Sequence, residues 1–198
     1  MSLKKLPRSF YLRPTLTVAR DLLGKLLIRR IDDEQLMGRI VEVEAYLGEK
    51  DAASHAYRGK TLRNEVMFRE GGYLYVYFTY GMHYCCNVVT EEAGKGRAVL
   101  LRAVEPVEGI DTMRRFRKFR GKKKDDRELT NGPAKICQAF HIAREQNGTD
   151  LLSDEIFLVT DGSVIPRSMV LSSRRIGISE AIEHEWRFHV RGSPFASR

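Results

Sequence analysis

At 198 residues the chain is long enough for one domain with a real core and too short for two of ordinary size. With 42% hydrophobic and 30% charged residues it falls outside the disordered, collagenous and coiled-coil classes. The net charge of +8 is concentrated: Met113 to Arg127 carries nine bases and two acids, leaving 25 bases against 24 acids elsewhere. Such a run suits phosphates or an anionic membrane surface, or is simply a solvated loop, and composition leaves these readings open.

The N-terminus, MSLKKLPRSFYLRPTL, has basic residues but no apolar run of signal-peptide type, and no stretch could span a bilayer. Thr17 is the expected cap of a short helix ending at Gly24. KLLIRRI, a DDEQ turn and a strand from Leu36 to Ala45 then predict a hairpin. Tyr73 to Phe78 and Tyr84 to Val89 predict a second hairpin around Tyr80-Gly81-Met82. Gly96 to Ala103 reads as a strand, and a helix is expected from about Glu105-Pro106, with Ile110, Met113 and Phe116 on one side. Pro133 should open another helix, with Ile136, Ala139 and Phe140 at helical spacing. EIFLV, RIGI and WRFHV are the expected strands of the last third. Helices and strands do not alternate regularly, so the expectation is a single α+β domain over residues 1–198, with a mixed, mainly antiparallel sheet and helices packed around it.

Cys85, Cys86 and Cys137 form an odd set, the first two pointing to opposite faces of a strand, which fits free thiols in a reducing compartment. Familiar catalytic signatures fail on inspection. A P-loop ending at Gly59-Lys60-Thr61 would need Gly where Ser54 stands, and a zinc-protease motif at His184-Glu185 would need His where Phe188 stands. The histidines and cysteines lack zinc-site spacing.

The strongest local feature is GRIVEVEAYLGEKDAASHAYRG, Gly38 to Gly59, which sets two acids inside a strand. A period of two groups Ile40, Glu42, Glu44 and Tyr46 on one face. That face is either an edge in water or turned toward the interior, where carboxylates need partners or a job. Tyr73, Tyr75 and Tyr77 share a face of the second hairpin, with Tyr80 at its tip. They serve as ordinary cross-strand packing or as a stacking platform. A carboxylate, stacking aromatics, a turn with a large side chain and a separate basic run together suit an enzyme that extrudes a base from a duplex and attacks its sugar.

RIVEVEAYLG, the His55 region, RNEVMF, GYLYVYFTYGMHYCCNV, LLRAVEPVEG, DRELTNGPAKICQAF and VRGSPF, in this order, make the chain resemble the alkyladenine (3-methyladenine, methylpurine) DNA glycosylases over nearly its whole length. The resemblance implies base excision from double-stranded DNA containing damaged purines, with hypoxanthine, ethenoadenine, 3-methyladenine and 7-methylguanine as candidate leaving bases. It further implies no metal, no cofactor, no strand cleavage and no membrane role, a monomer, and a cytoplasmic location with the chromosome, or a nuclear one in a eukaryote. Glu44 then resembles the general base for water. Tyr46, His55 and Tyr77 resemble walls of the base pocket, with the His55 amide a donor to the purine. Asn87 resembles the residue that would clash with the guanine exocyclic amine. Tyr80, on a protruding hairpin, resembles the wedge that enters the minor groove. Arg102 resembles a residue beside the water and the neighbouring phosphate, and Lys135 a phosphate contact. His83 stands where mammalian relatives have Tyr, so groove contacts there should differ. Two other readings remain: a non-catalytic binder of distorted DNA, and a small carbohydrate hydrolase using Glu42 and Glu44, disfavoured because same-face neighbours need not straddle a substrate.

Overall fold

The computed structural model describes residues 3–118 and 125–197. Among them, nine strands form one sheet: β1 (Lys4–Lys5), β2 (Leu26–Ile31), β3 (Glu34–Tyr46), β4 (Leu74–Thr79), β5 (His83–Thr90), β6 (Arg97–Glu108), β7 (Ile156–Thr160), β8 (Val170–Ser173) and β9 (Arg187–Val190). The main path runs β1-β7-β2-β3-β6-β5-β4, with β9 paired to both β3 and β8. All strand pairings are antiparallel, so the expected parallel component of a mixed sheet is absent among the described residues. The helices are α1 (Arg8–Tyr11), α2 (Thr15–Leu22), α3 (Ile110–Phe116) and α4 (Pro133–Ala139). Val18, Ala19 and Leu22 of α2 and Ile136, Ala139 and Phe140 at α4 join Leu36, Val43, Leu101 and Val104 of the sheet in the main core. Among the described residues, no helix is long and apolar enough to cross a membrane.

Strand β3 organises the site. One flank pairs with β6 along most of its length; the other pairs with β2 from Glu34 to Arg39, then with β9 from Glu42 to Glu44. The ladder with β6 is irregular between Ile40 and Val43, where these partners change. The irregularity moves Ile40 off the carboxylate face and into the core with Val43 and Ala45, correcting the strict alternation expected for this strand. Glu42 and Glu44 therefore lie where strands cover both flanks, and both are fully buried.

Other boundaries shift for identifiable reasons. The first long helix starts at Thr15, with Pro14 before it, so Thr17 lies inside rather than at its cap. No helix forms at Glu105-Pro106, because β3 still offers a partner there and β6 continues to Glu108. Gly109, at φ 74°, then turns the chain into α3; a side chain there would strike Leu36 and the Gln35 carbonyl. RIGI is not a strand: the preceding residues form β8, and the Arg175 side chain and Ile176 amide bond into the site instead.

The second hairpin forms as expected, and its turn is tight. Tyr80 (φ 49°) and Gly81 (φ 67°) both take left-handed geometry, and the Met82 amide donates to the Thr79 carbonyl at 3.3 Å. Two successive positive φ values match the strand twist in primed turns. Tyr80 is thereby held 81% exposed at the tip. On the outer side of β4, the last strand of the sheet path, the Val76 amide donates to Asn147 Oδ1 (3.0 Å), and the Leu74 carbonyl accepts from the Gly148 amide (2.8 Å). Arg63 Nη2 donates to the Phe78 carbonyl at 3.3 Å.

Candidate active site

Where β3, the hairpin and the 174–178 segment meet, a cavity of about 410 Å³ opens, lined in part by Tyr46, His55, Tyr77, Asn87 and Arg102, with Tyr80 at its border. Its size is that of a small-molecule site, roughly 300–1,000 Å³. Tyr75 and Tyr77 project from β4, stacked at 5.5 Å with 24° between planes, and the His55 ring stands edge-on to Tyr77 at 4.5 Å. His55 Nδ1 lies 3.1 Å from the Tyr75 hydroxyl. Burial of its ring, and the Arg63 cation, hold the imidazole below its ordinary pKa, so it is neutral at pH 7. Burial pushes the Tyr75 phenol up to about 12 and raises Tyr46 and Tyr77 further, so the three rings face the cavity as neutral phenols.

Glu44 sits directly behind this wall. Its Oε2 accepts from the Tyr46 hydroxyl at 2.9 Å; its Oε1 accepts from the Ile176 amide at 2.8 Å and lies 3.2 Å from Arg102 Nη1. Burial raises its pKa, and Arg102, the Ile176 amide and Tyr46 only partly offset that. Glu42, two residues earlier, behaves oppositely. Burial opposes its charge too, but Ser197 and Arg187 hydrogen bonds and the Arg102 cation outweigh it and hold the carboxyl below the ordinary range. The same strand thus carries one carboxyl held below the ordinary range and one held above it, the separation expected of groups with different tasks.

A second buried ion pair braces the surroundings. Arg175 meets Asp51 through two hydrogen bonds (2.6 and 2.8 Å), and both side chains are fully buried. Arg175 also donates to the Ala45 carbonyl (3.0 Å) and lies 4.7 Å from the Tyr46 ring centroid. Asp51 accepts the Leu47 and Ala53 amides. This pair joins the segment that presents the Ile176 amide to the loop that carries His55. Gly48 permits that loop's tight start: its φ is 61°, and a side chain would strike the Lys95 carbonyl. Neither Asp51 nor Arg175 is among the residues expected from the sequence; Asp51 lies in the loop after β3, outside the strand alternation that singles out Glu42 and Glu44.

A family profile described as "Methylpurine-DNA glycosylase (MPG)" matches residues 9–194. The chain belongs to the methylpurine-DNA glycosylase family. Three similar proteins each bear the name "Putative 3-methyladenine DNA glycosylase". That of Alkaliphilus oremlandii is 46% identical, covering 98% of this chain and 99% of its own length. That of Carboxydothermus hydrogenoformans is 47% identical, covering 98% of each. That of Methanocella arvoryzae is 45% identical, covering 98% of this chain and 96% of its own.

For a methylpurine-DNA glycosylase family member, the positions expected from the sequence fall into two places. Tyr46, His55, Tyr77, Tyr80, Asn87 and Arg102 surround one cavity, with Glu44 behind it. Asn87 is buried, its amide donating to the Tyr75 carbonyl at 3.3 Å. Arg102 is 6% exposed and committed to Glu42, Glu44 and Ser197. Lys135 lies apart, in a polar hollow at the start of α4, donating to Asn131 at 2.6 Å. In the basic run, Arg114 is paired with Asp111 and Asp126, Arg115 with Glu34 and Arg127 with Asp125. That part is a braced flank; Lys122, Lys123 and Lys124 of the same run, left open between a phosphate or membrane contact and a solvated loop, lie outside the described residues. Among the described residues, no group of three or more His, Cys, Asp or Glu could hold a metal ion, and the three cysteines are buried free thiols.

Proposed function

We propose that this chain excises damaged purines from duplex DNA by hydrolysing the N-glycosidic bond, with Glu44 as general base. The observation that carries the reading is a buried carboxylate of raised pKa immediately behind an aromatic-walled cavity, beside a hairpin bearing an exposed Tyr80. An extruded purine stacks among Tyr46, His55 and Tyr77, where an alkylated, cationic ring gains most from neutral electron-rich faces. Stacking of roughly 1–3 kcal/mol per base offsets part of the unstacking cost, which is smallest for poorly paired lesions. Asn87 crowds the exocyclic amine of guanine.

Glu44 takes a proton from water as the water oxygen bonds to C1′ from the face opposite the purine. The C1′–N bond breaks and its electron pair leaves with the base, which departs as a neutral molecule when the purine is alkylated and cationic, and an abasic sugar of inverted configuration remains. The sugar is oxocarbenium-like in the transition state, so the same carboxylate offsets its positive charge. Arg102 lines the cavity beside the water and the neighbouring phosphate, Lys135 meets a more distant phosphate, and Tyr80 fills the gap in the stack. With water as nucleophile, the strand stays intact.

The test is chromatographic detection of free base from duplexes carrying hypoxanthine, ethenoadenine or a methylated purine. Base release without strand scission is expected; tight lesion binding with no release from any of them overturns the proposal. Because Glu44 must be ionised to act, the rate should fall on the acid side with a midpoint above the ordinary glutamate value of 4.5. A midpoint at or below that value would place the base elsewhere. Tyr80→Ala should weaken retention of a lesion duplex roughly tenfold, the value of one lost stacking contact; unchanged dissociation in a gel or fluorescence assay would remove Tyr80 from the wedge role.

A further inference from the structure

Glu42 is fully buried, strongly anchored and unused by the reaction described above. It accepts from Arg102 Nε at 2.9 Å, Arg187 Nε at 2.7 Å and the Ser197 hydroxyl at 2.6 Å, and also from the Ser197 amide. Its donors come from the two strands that flank β3, β6 and β9, and from the segment after β9. Arg102 is the shared element: its Nε is held by Glu42, its Nη2 reaches Ser197 Oγ, and its Nη1 lies against Glu44. We propose that Glu42 is a positioning residue which, anchored by Ser197 and Arg187, aims the Arg102 guanidinium at Glu44 and tunes Glu44 as a base.

The proposal rests on Glu44 being the general base, and it assigns the neighbouring carboxylate a task that burial alone would not require. A buried ion cluster adds little net stability over apolar packing of the same volume, so stability alone does not account for this one. Here the negative charge does two things at once. It divides one cation between two acids, so Arg102 cannot collapse onto Glu44, and it sits close enough to oppose Glu44 ionisation directly. The other charged or titratable groups around this pair are Tyr46 on β3, Arg187 and His189 on β9, and the Arg175–Asp51 pair beyond the Tyr46 ring. His189 is held below its ordinary pKa by burial and by Arg187, so it adds no charge at neutral pH.

The experiment is the pH profile of single-turnover release from one damaged-purine duplex, with wild type, Glu42→Gln and Arg187→Gln at saturating enzyme. Glu42→Gln removes a negative charge and gives Arg102 wholly to Glu44. The acid limb should move down by at least about half a pH unit, and the plateau should fall because the base is weaker. Arg187→Gln leaves Glu42 less neutralised, so the limb should move up. Opposite shifts support the proposal; lowered plateaus with unmoved limbs mean that Glu42 only holds structure, and overturn it. If Glu42→Gln does not fold, Arg187→Gln alone decides. Absence of release by wild type overturns the general-base reading itself, a failure distinct from release by wild type with unshifted variants.

Discussion

Replacing Glu44 with Gln is expected to slow base release by at least about a hundredfold, within the usual range for a general base, while lesion-duplex affinity stays within about twofold. The substitution keeps the shape of the side chain and its contact with the Ile176 amide but removes the site that accepts water's proton. Single-turnover release at matched occupancy measures the first quantity, and equilibrium binding the second. A retained rate would remove Glu44 from the chemistry and favour a protein that only senses distorted DNA. Stability should move differently. Burial raises the Glu44 pKa in the folded chain, so the folded state binds this proton more readily than the unfolded one. The associated stabilisation is fully present below the unfolded value and is lost as pH rises through the raised folded value. The ionised carboxylate is therefore a burden on the fold, and Glu44→Gln should melt no lower than wild type. A clear drop in melting temperature at pH 7 would contradict that balance.

Asp51→Ala should be strongly destabilising. It leaves the Arg175 guanidinium fully buried without its anion, and it removes the acceptor of the Leu47 and Ala53 amides. Breaking a buried pair on one side costs about 3–5 kcal/mol. In a chain of this size that corresponds to a fall of roughly 6–20 °C in Tm. The double substitution Asp51→Ala with Arg175→Met should recover part of the loss, because the uncompensated charge disappears with its partner. Scanning calorimetry of the three proteins checks both statements. A fall of only a degree or two in the single variant would show that the interior relaxes enough to hydrate the arginine.

Much of this site was legible in the sequence because its parts lie on hairpins. The Gly38 to Gly59 segment carries Glu44, Tyr46 and His55 close together, and the alternation of Tyr75 and Tyr77 fixes their shared face. Tyr80-Gly81 announces the turn itself. What was not legible depends on contacts between distant segments. The partner of Glu44 is a backbone amide at Ile176, presented by a stretch whose composition reads as strand but whose side chains and amides bond elsewhere. Nothing about Arg175 distinguishes it in sequence from Arg174 beside it, yet only Arg175 reaches Asp51, 124 residues away. The face reversal near Ile40 escaped for a related reason: it arises where β3 exchanges β2 for β9, an event set by neighbouring strands.

The second hairpin has a cost of its own kind, and the covering of β4 bears on it. The outermost strand of a sheet is a template on which another molecule can add its own strand, the first step of uncontrolled self-association. Here the Asn147 side chain occupies the Val76 amide, the Gly148 amide occupies the Leu74 carbonyl, and Arg63 occupies the Phe78 carbonyl. These capped groups no longer invite a foreign strand. The turn can therefore hold Tyr80 exposed without the strand beneath it offering these groups to another chain.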